Sequence, residues 1–358
     1  MNIGLLGMGT VGGGVYDAIA ERGIGLSVTR ILDCRTLPGL EQLRTADFQT
    51  ILDDPSIDVV VETMGGDEPA FSFVMAALQA GKHVVTSNKL LISAHFCALH
   101  EAAVQNGVQL RYTAAAGGGI PWLYNLARAK RCDDILSIRG IINGTTNYIL
   151  DGMHTRSGDF DAMLAEAQRL GYAERDASAD IDALDAQRKC AISASLAFDA
   201  YVPAASIPAA GIRHIKKKDI HYCENMGRVC RLMFYATRCE NGVCAHVEPA
   251  FVKADSTAAA IHGCGNMVTL TGRLLGELTL IGQGAGRAPT GVAVVQDILD
   301  IAQGLPQAPV VCAEAAVCAD AVTHRYYVRK GDGQYISDPV SVAQMHKEGA
   351  DFFAQIVE

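Results

Sequence analysis

The first nineteen residues restrict the fold more than any other stretch of the chain. Asn2 to Leu6 (NIGLL) is a short apolar strand that runs directly into Gly7-Met8-Gly9-Thr10-Val11-Gly12. Val11, Val15, Ala18 and Ile19 then repeat at helical spacing. A GxGxxG between strand and helix is the context a dinucleotide needs. Gly7 permits the tight turn, Gly9 lets a pyrophosphate approach the backbone, and Gly12 lets helix and strand pack closely. The N–H groups at the helix start, those of Thr10 and Val11 included, supply an anion site.

The alternation continues. Ser27 to Asp33, Ile57 to Glu62, His83 to Thr86 and Val108 to Thr113 read as strands, with helices over Pro69 to Ala80 and Ala94 to Gln105. Apolar strands separated by helices describe an α/β fold, a Rossmann-type doubly wound parallel sheet. Ligands of such a sheet sit at the carboxyl ends of its strands. Those ends carry Asp33, Thr63-Met64-Gly65-Gly66, Ser87-Asn88-Lys89 and Ala114 to Gly119, so Thr63 and Ser87 join the glycines as expected cofactor contacts. Asp33 suits the adenosine ribose and favours NAD, whereas Arg35, two residues on, suits the 2′-phosphate of NADP.

A second cluster lies at Gly171 to Cys190 (GYAERDASADIDALDAQRKC), which brings Glu174, Asp180, Asp182, Asp185 and Lys189 together in sequence. Its second half has helical periodicity, and Asp185 and Lys189, acid first and four apart, share the face of Ile192, Leu196 and Leu184. A charged pair on an apolar face loses hydration and needs a compensating partner or a use. An ordinary ion pair, with Ser178 as a helix cap and Asp180 and Asp182 facing the positive end of the dipole, accounts for the same residues. Lys89 is either a loop-tip lysine or a second ammonium in the same pocket, where two cations would depress each other's pKa and favour proton transfer near neutrality. Ile135 to Ile142 reads as a strand closing on Asn143-Gly144-Thr145-Thr146-Asn147. That run is either a turn with a helix cap or a source of N–H and hydroxyl donors for a carboxylate.

Composition excludes several classes of partner. With 30 basic and 39 acidic residues the formal net charge is −9, which favours neither nucleic acid nor a membrane surface. No apolar run is long enough to span a bilayer, Met1 leads straight into a strand, and the 11 cysteines contain no CxxC pair. The chain reads as cytoplasmic, with reduced thiols.

These motifs, taken together with Ala116-Gly117-Gly118-Gly119-Ile120-Pro121 and Gly282-Gln283-Gly284-Ala285-Gly286 before Pro289-Thr290, fall in the order seen in homoserine dehydrogenases. The resemblance runs from residue 1 to about residue 305. It implies NAD(P)H-dependent reduction of L-aspartate 4-semialdehyde to L-homoserine, in amino-acid biosynthesis leading to threonine and methionine. By resemblance, Glu174 and Asp180 hold the substrate ammonium, Asp185 and Lys189 stand beside the reacting carbonyl with Lys89, and Gly144, Thr145 and Tyr172 line the pocket. Gly284 and Gly286 would lie near the nicotinamide. The chemistry agrees, because an ammonium needs acids, a carboxylate needs N–H and hydroxyl groups, and a developing alkoxide needs a proton donor.

The same resemblance implies a monovalent cation, Na⁺ or K⁺, on backbone carbonyls of Thr113, Ala116 and Gly118. Thr113 stands where the family commonly has a glutamate. It also implies a homodimer paired through residues 240–281. The expected division is a nucleotide-binding domain over 1–120 with 282–306 returning to it, an α+β catalytic and dimerisation domain over 121–281, and a tail over 307–358. In that tail His324 to Arg329 resembles the first strand of a regulatory domain too short to be complete, so no threonine feedback is expected. Gly12 to Gly14 weaken the first helical turn by roughly 1 kcal/mol per extra glycine. Three alternatives remain: a dehydrogenase of the same fold for another small amino or hydroxy acid, a non-catalytic dinucleotide-binding regulator, and aspartate semialdehyde dehydrogenase, which requires a nucleophilic cysteine near a histidine.

Overall fold

The computed structural model describes residues 1–357, which fold as two compact units. The first comprises 1–127 and 283–312. Its chain runs β1 (Asn2–Leu6), α1 (Thr10–Arg22), β2 (Ser27–Leu32), β3 (Arg44–Thr45), α2 (Gln49–Leu52), β4 (Val59–Glu62), α3 (Ala70–Gln79), β5 (His83–Thr86), α4 (Lys89–Ala94), α5 (Phe96–Gln105), β6 (Leu110–Arg111) and α6 (Trp122–Ala129). The six strands form a parallel sheet in the order β3-β2-β1-β4-β5-β6. Strand order reverses between β1 and β4, which opens a crevice at their carboxyl ends. Ile3, Leu5, Val59, Val61 and Val85 are fully buried beneath the covering helices, the reason these strands read as unbroken apolar runs.

The helix Arg287–Ala302 packs on α1 and accounts for the glycine run. A Cβ at Gly13 would collide with the Arg287 guanidinium, and one at Gly14 with the Arg287 carbonyl. Low helix propensity is thus exchanged for close approach of two helices. Two elements differ from the sequence reading here. The expected strand to Thr113 ends at Arg111, because Thr113–Ala115 turn into a 3₁₀ helix. Lys89 lies in the first turn of a helix of its own, capped by the Asn88 side chain.

The second unit, 128–282 with 313–357, continues with β7 (Ile135–Ile141), α7 (Gly144–Thr155), α8 (Phe160–Arg169), α9 (Ser178–Ile181), α10 (Leu184–Phe198), α11 (Lys217–Asn225), β8 (Arg228–Cys239), β9 (Gly242–Lys253), β10 (Gly265–Gly272) and β11 (Gly276–Gln283). After α12, the helix Arg287–Ala302 already described, come β12 (Thr323–His324), β13 (Tyr326–Lys330), β14 (Gly333–Ile336), β15 (Val340–Ser341), α13 (Val342–Lys347) and β16 (Phe352–Ile356). An eight-stranded sheet has the order β11-β10-β7-β8-β9-β16-β13-β14. The segment expected as a separate tail therefore contributes three strands of one continuous sheet, with β16 pairing parallel to β9.

The helix of the acidic cluster also differs from expectation. It is broken at Asp182–Ala183, where Ala183 has φ +68, so Ser178 opens the short α9 and does not cap α10. Leu184 is exposed, while Asp185, Lys189, Ile192 and Leu196 are buried. The α7 helix begins at Gly144, where the Asn143 side chain accepts from Thr146 N and caps it.

Candidate functional site

In the first unit the expected cofactor residues sit at the crevice end of the sheet. A Cβ on Gly12 would collide with the Gly7 carbonyl, whereas one on Gly9 would meet open space. Gly7 has φ +90, a conformation that favours glycine. No side chain caps α1, and its first turn carries no acid, so the amides at Thr10 and Val11 face outward as an anion cradle. The Thr63 hydroxyl donates to Leu6 O at 3.0 Å and Gly7 O at 2.8 Å, tying the β4 end to the glycine turn. Gly118 lies against the Gly284 carbonyl, and Gly286, with φ +118, opens α12. These features fit a nicotinamide dinucleotide.

Asp33 closes this crevice at the end of β2. Its carboxylate accepts from Met8 N at 2.8 Å and from Arg35 N and Nε, both at 2.9 Å, and pairs with Arg35 Nη2 at 2.7 Å. The Arg35 guanidinium holds the Asp33 carboxyl well below the usual carboxylate range. Arg44 Nε donates to the carbonyls of Asp33 and Arg35, adding a second guanidinium that nothing in the local sequence singles out.

Glu62 is a further residue that sequence reasoning passed over. Fully buried at the end of β4, it accepts from Met64 N at 2.7 Å, Gly65 N at 3.1 Å and Thr86 Oγ1 at 2.5 Å. Burial pushes its pKa up against those hydrogen bonds. It joins the loop after β4 to the end of β5, from which Ser87, Asn88 and Lys89 follow. Asn88 Nδ2 in turn donates to Gly66 O at 2.7 Å. An acid ending an otherwise all-valine strand was the available signal.

In the second unit Lys189 Nζ lies 2.7 Å from Asp185 Oδ2 and 2.9 Å from Ile142 O, and both side chains are about nine-tenths buried. Asn143 Nδ2 donates to Asp185 Oδ2 at 2.8 Å and to Asp180 Oδ1 at 2.7 Å. One amide thus gathers two carboxylates and, through them, the lysine. Thr145 Oγ1 donates to Tyr172 O at 2.6 Å, and the Tyr172 ring packs on Tyr148 with centroids 5.0 Å apart. Gly144 must be glycine, because a Cβ there would meet Cys264 O at 2.9 Å. Glu174 stands apart from this network: it is exposed, and the network described for Asp180 and Asp185 does not include its carboxylate. Asp182 turns away to a bidentate pair with Arg213 at 2.7 and 2.6 Å.

At the expected cation loop, Asp297 of α12 accepts from Thr113 N at 2.8 Å and Thr113 Oγ1 at 2.7 Å. Burial pushes the Asp297 carboxyl up to about 6. Among the described residues no group of three or more His, Cys, Asp or Glu side chains is placed to hold a metal ion.

Residues 7–113 match the family model of the homoserine dehydrogenase NAD-binding domain, and residues 121–299 match that of homoserine dehydrogenase itself. The chain belongs to the homoserine dehydrogenase family. The homoserine dehydrogenase of Synechocystis sp. is 40% identical over 319 residues, 84% of this chain and 73% of that protein. That of Bacillus subtilis is 33% identical over 318 residues, 85% of this chain and 73% of that protein. The crystal structure of a homoserine dehydrogenase from Thiobacillus denitrificans superposes with a TM-score of 0.88 at 29% identity, covering 100% of this chain and 98% of that one. As a homoserine dehydrogenase, the protein is an NAD(P)-dependent oxidoreductase acting on a CH–OH group. The readings as a non-catalytic regulator or as aspartate semialdehyde dehydrogenase are not favoured.

Proposed function

We propose that Lys189 is the proton donor of this homoserine dehydrogenase and that Asp185 and Asn143 hold it in place. One observation carries the reading: a buried ammonium has two of its three N–H bonds directed, at Asp185 and Ile142 O, which leaves the third for a substrate oxygen. A bound nicotinamide dinucleotide would supply the hydride that reduces the aldehyde carbon. Lys189 stabilises the alkoxide as it forms and delivers its proton. Asp185 holds the ammonium in place until then, and Asp180 with Glu174 attracts the substrate ammonium. Gly144, Thr145 and Tyr172 border the substrate, and Lys89, in the first turn of α4, is a second cation for the reaction.

The adenosine end supports use of both coenzymes, because the Asp33–Arg35 pair presents a neutral ion pair to the ribose. A hyperthermophilic archaeal homoserine dehydrogenase with the same fold has been solved in complex with NADPH. A monovalent cation at the carbonyls of Thr113, Ala116 and Gly118 fits the buried Asp297 carboxylate, whose charge it would offset. K⁺ or Na⁺ in place of choline should then raise the melting temperature. A homodimer is supported by Leu274, Leu275 and Ile281, which are 81%, 53% and 58% exposed on and before β11. A cytoplasmic setting, in the synthesis of threonine and methionine, suits the free thiols of the described cysteines. Among the described residues no helix is long and apolar enough to cross a membrane.

The test follows NAD(P)H oxidation with L-aspartate 4-semialdehyde. Lys189→Ala and Asp185→Ala should bind dinucleotide normally while kcat falls by about 10²-fold or more. Full turnover by Lys189→Ala would remove the lysine from the mechanism.

A further inference from the structure

We propose that Cys239 and Cys318 are a thiol pair that closes reversibly into a disulfide and staples the C-terminal segment to the β8–β9 hairpin. Cys239 is the last residue of β8, paired in register with Gly242 at the start of β9. The segment leading to Cys318 lies against this hairpin end. Val243 N donates to Ala316 O at 3.0 Å, Cys318 N donates to Val243 O at 2.9 Å, and a Cβ on Gly242 would collide with the Ala316 carbonyl. Cys318 Sγ points at the turn, 3.7 Å from Asn241 O, with the Cys239 side chain as its hydrogen-bonding neighbour. Both thiols are half-buried, so a small oxidant reaches them, whereas nearby Cys244 is buried in the sheet.

The backbone contacts matter because a disulfide forms only where two chains are already held at the right separation. Here four backbone groups hold the C-terminal segment against Val243, beside the hairpin end that carries Cys239, without the sulfurs. The same segment reaches the end of the helix that carries Lys189. Tyr201 N donates to Ala313 O and Ala315 N to Tyr201 O, both at 2.8 Å, just beyond Phe198, where α10 ends. Arg238, beside Cys239, donates to Phe198 O at 2.7 Å. A staple at Cys239–Cys318 therefore stiffens the strap around the C-terminal end of α10.

The oxidant is a small disulfide such as oxidised glutathione. The Cys239 thiolate attacks one sulfur of the small disulfide, forming a mixed disulfide and expelling one small thiolate. The Cys318 thiolate then attacks Cys239 Sγ and expels the second. Two protein thiols lose two electrons and two protons, and one small disulfide becomes two thiols.

The experiment treats the full-length protein with excess oxidised glutathione, blocks remaining thiols with iodoacetamide and maps non-reduced peptides by mass spectrometry. A peptide joining Cys239 to Cys318, lost after dithiothreitol, is the expected result, together with a rise of several degrees in melting temperature. Cys318→Ser should abolish both changes and leave reduced-state activity intact. Mixed disulfides confined to Cys239 or Cys318, a Cys239–Cys244 linkage, or no cross-link at all would overturn the pairing. Should Cys318→Ser fold poorly, the peptide map of the unaltered chain decides alone.

Discussion

Asn143 donates its side-chain amide to Asp185 Oδ2 at 2.8 Å, onto the oxygen that Lys189 Nζ meets at 2.7 Å. The carboxylate is held from two sides, so its distance to the lysine does not depend on the helix alone. The same amide reaches Asp180, which offsets the repulsion between two acids drawn close together. Asn143 Oδ1 meanwhile caps α7. The residue thus links a helix start to the geometry of the proposed proton donor.

Replacing Asn143 separates those two roles. Asn143→Ser keeps an oxygen able to cap α7 but loses both amide bonds. Its thermal stability should stay within about 1 kcal/mol of the parent, while kcat falls by roughly 10- to 100-fold from loss of hydrogen bonds to charged groups. Steady-state kinetics beside a melting curve check this. Unchanged kcat would make Asn143 a helix cap and nothing more.

On the proposed reading of the adenosine end, Arg35 sets the charge that Asp33 presents to the coenzyme. With the guanidinium in place the carboxylate is neutralised, and a 2′-phosphate meets no net repulsion. Arg35→Ala exposes an uncompensated anion, so KM for NADPH should rise about tenfold or more, equivalent to roughly 1.4 kcal/mol. KM for NADH should change little. Equal effects on the two coenzymes would show that the pair plays no part in the choice.

Gly13 and Gly14 give a test of helix packing in which propensity and sterics are opposed. Alanine is favoured over glycine by roughly 1 kcal/mol in a helix interior. At Gly13 the obstacle is the end of a flexible arginine that is half exposed, so Gly13→Ala should be close to neutral. At Gly14 the obstacle is the Arg287 backbone carbonyl, which cannot move without α12, so Gly14→Ala should destabilise by about 1–3 kcal/mol. Urea midpoints for the two variants check the order, and a reversed order would mean that the two helices separate readily.

Much of the fold was legible because its signals were local. The β1 turn announced itself through glycine spacing, and Asp185–Lys189 through the helical repeat, since buried strands and amphipathic helices write their environment into period and polarity. What stayed hidden depended on distant chain. Nothing near Glu62 reveals that Thr86 and two loop amides will satisfy it, and nothing near Thr113 reveals Asp297, 184 residues away. The break at Ala183 was missed because its positive φ is unusual for alanine. The place of the C-terminal strands in the second sheet escaped for a related reason: β9, the parallel partner of β16, lies far earlier in the chain.

Asp297 makes the stability of this protein fall as pH rises through the mildly acidic range. Its carboxyl titrates near 6 in the folded chain against an ordinary value of 3.8, because burial disfavours the charge more than the Thr113 bonds favour it. Between those two values the native state keeps a proton that the unfolded state has released, so stability declines with increasing pH. The full loss, roughly 3 kcal/mol, is reached above pH 6. The amide introduced by Asp297→Asn stays neutral throughout, while its oxygen can still accept from Thr113 N and its NH₂ can donate to the Thr113 hydroxyl. The difference in unfolding free energy between Asp297→Asn and the parent should therefore shift in the variant's favour between pH 4 and pH 7, by an amount approaching that figure. A constant offset between the two measured by urea unfolding would mean that Asp297 titrates normally. Repeating the series in K⁺ separates burial from the cation: an ion on the Thr113 loop favours the charged carboxylate, so the parent's decline with pH should flatten while the variant's curve stays where it was.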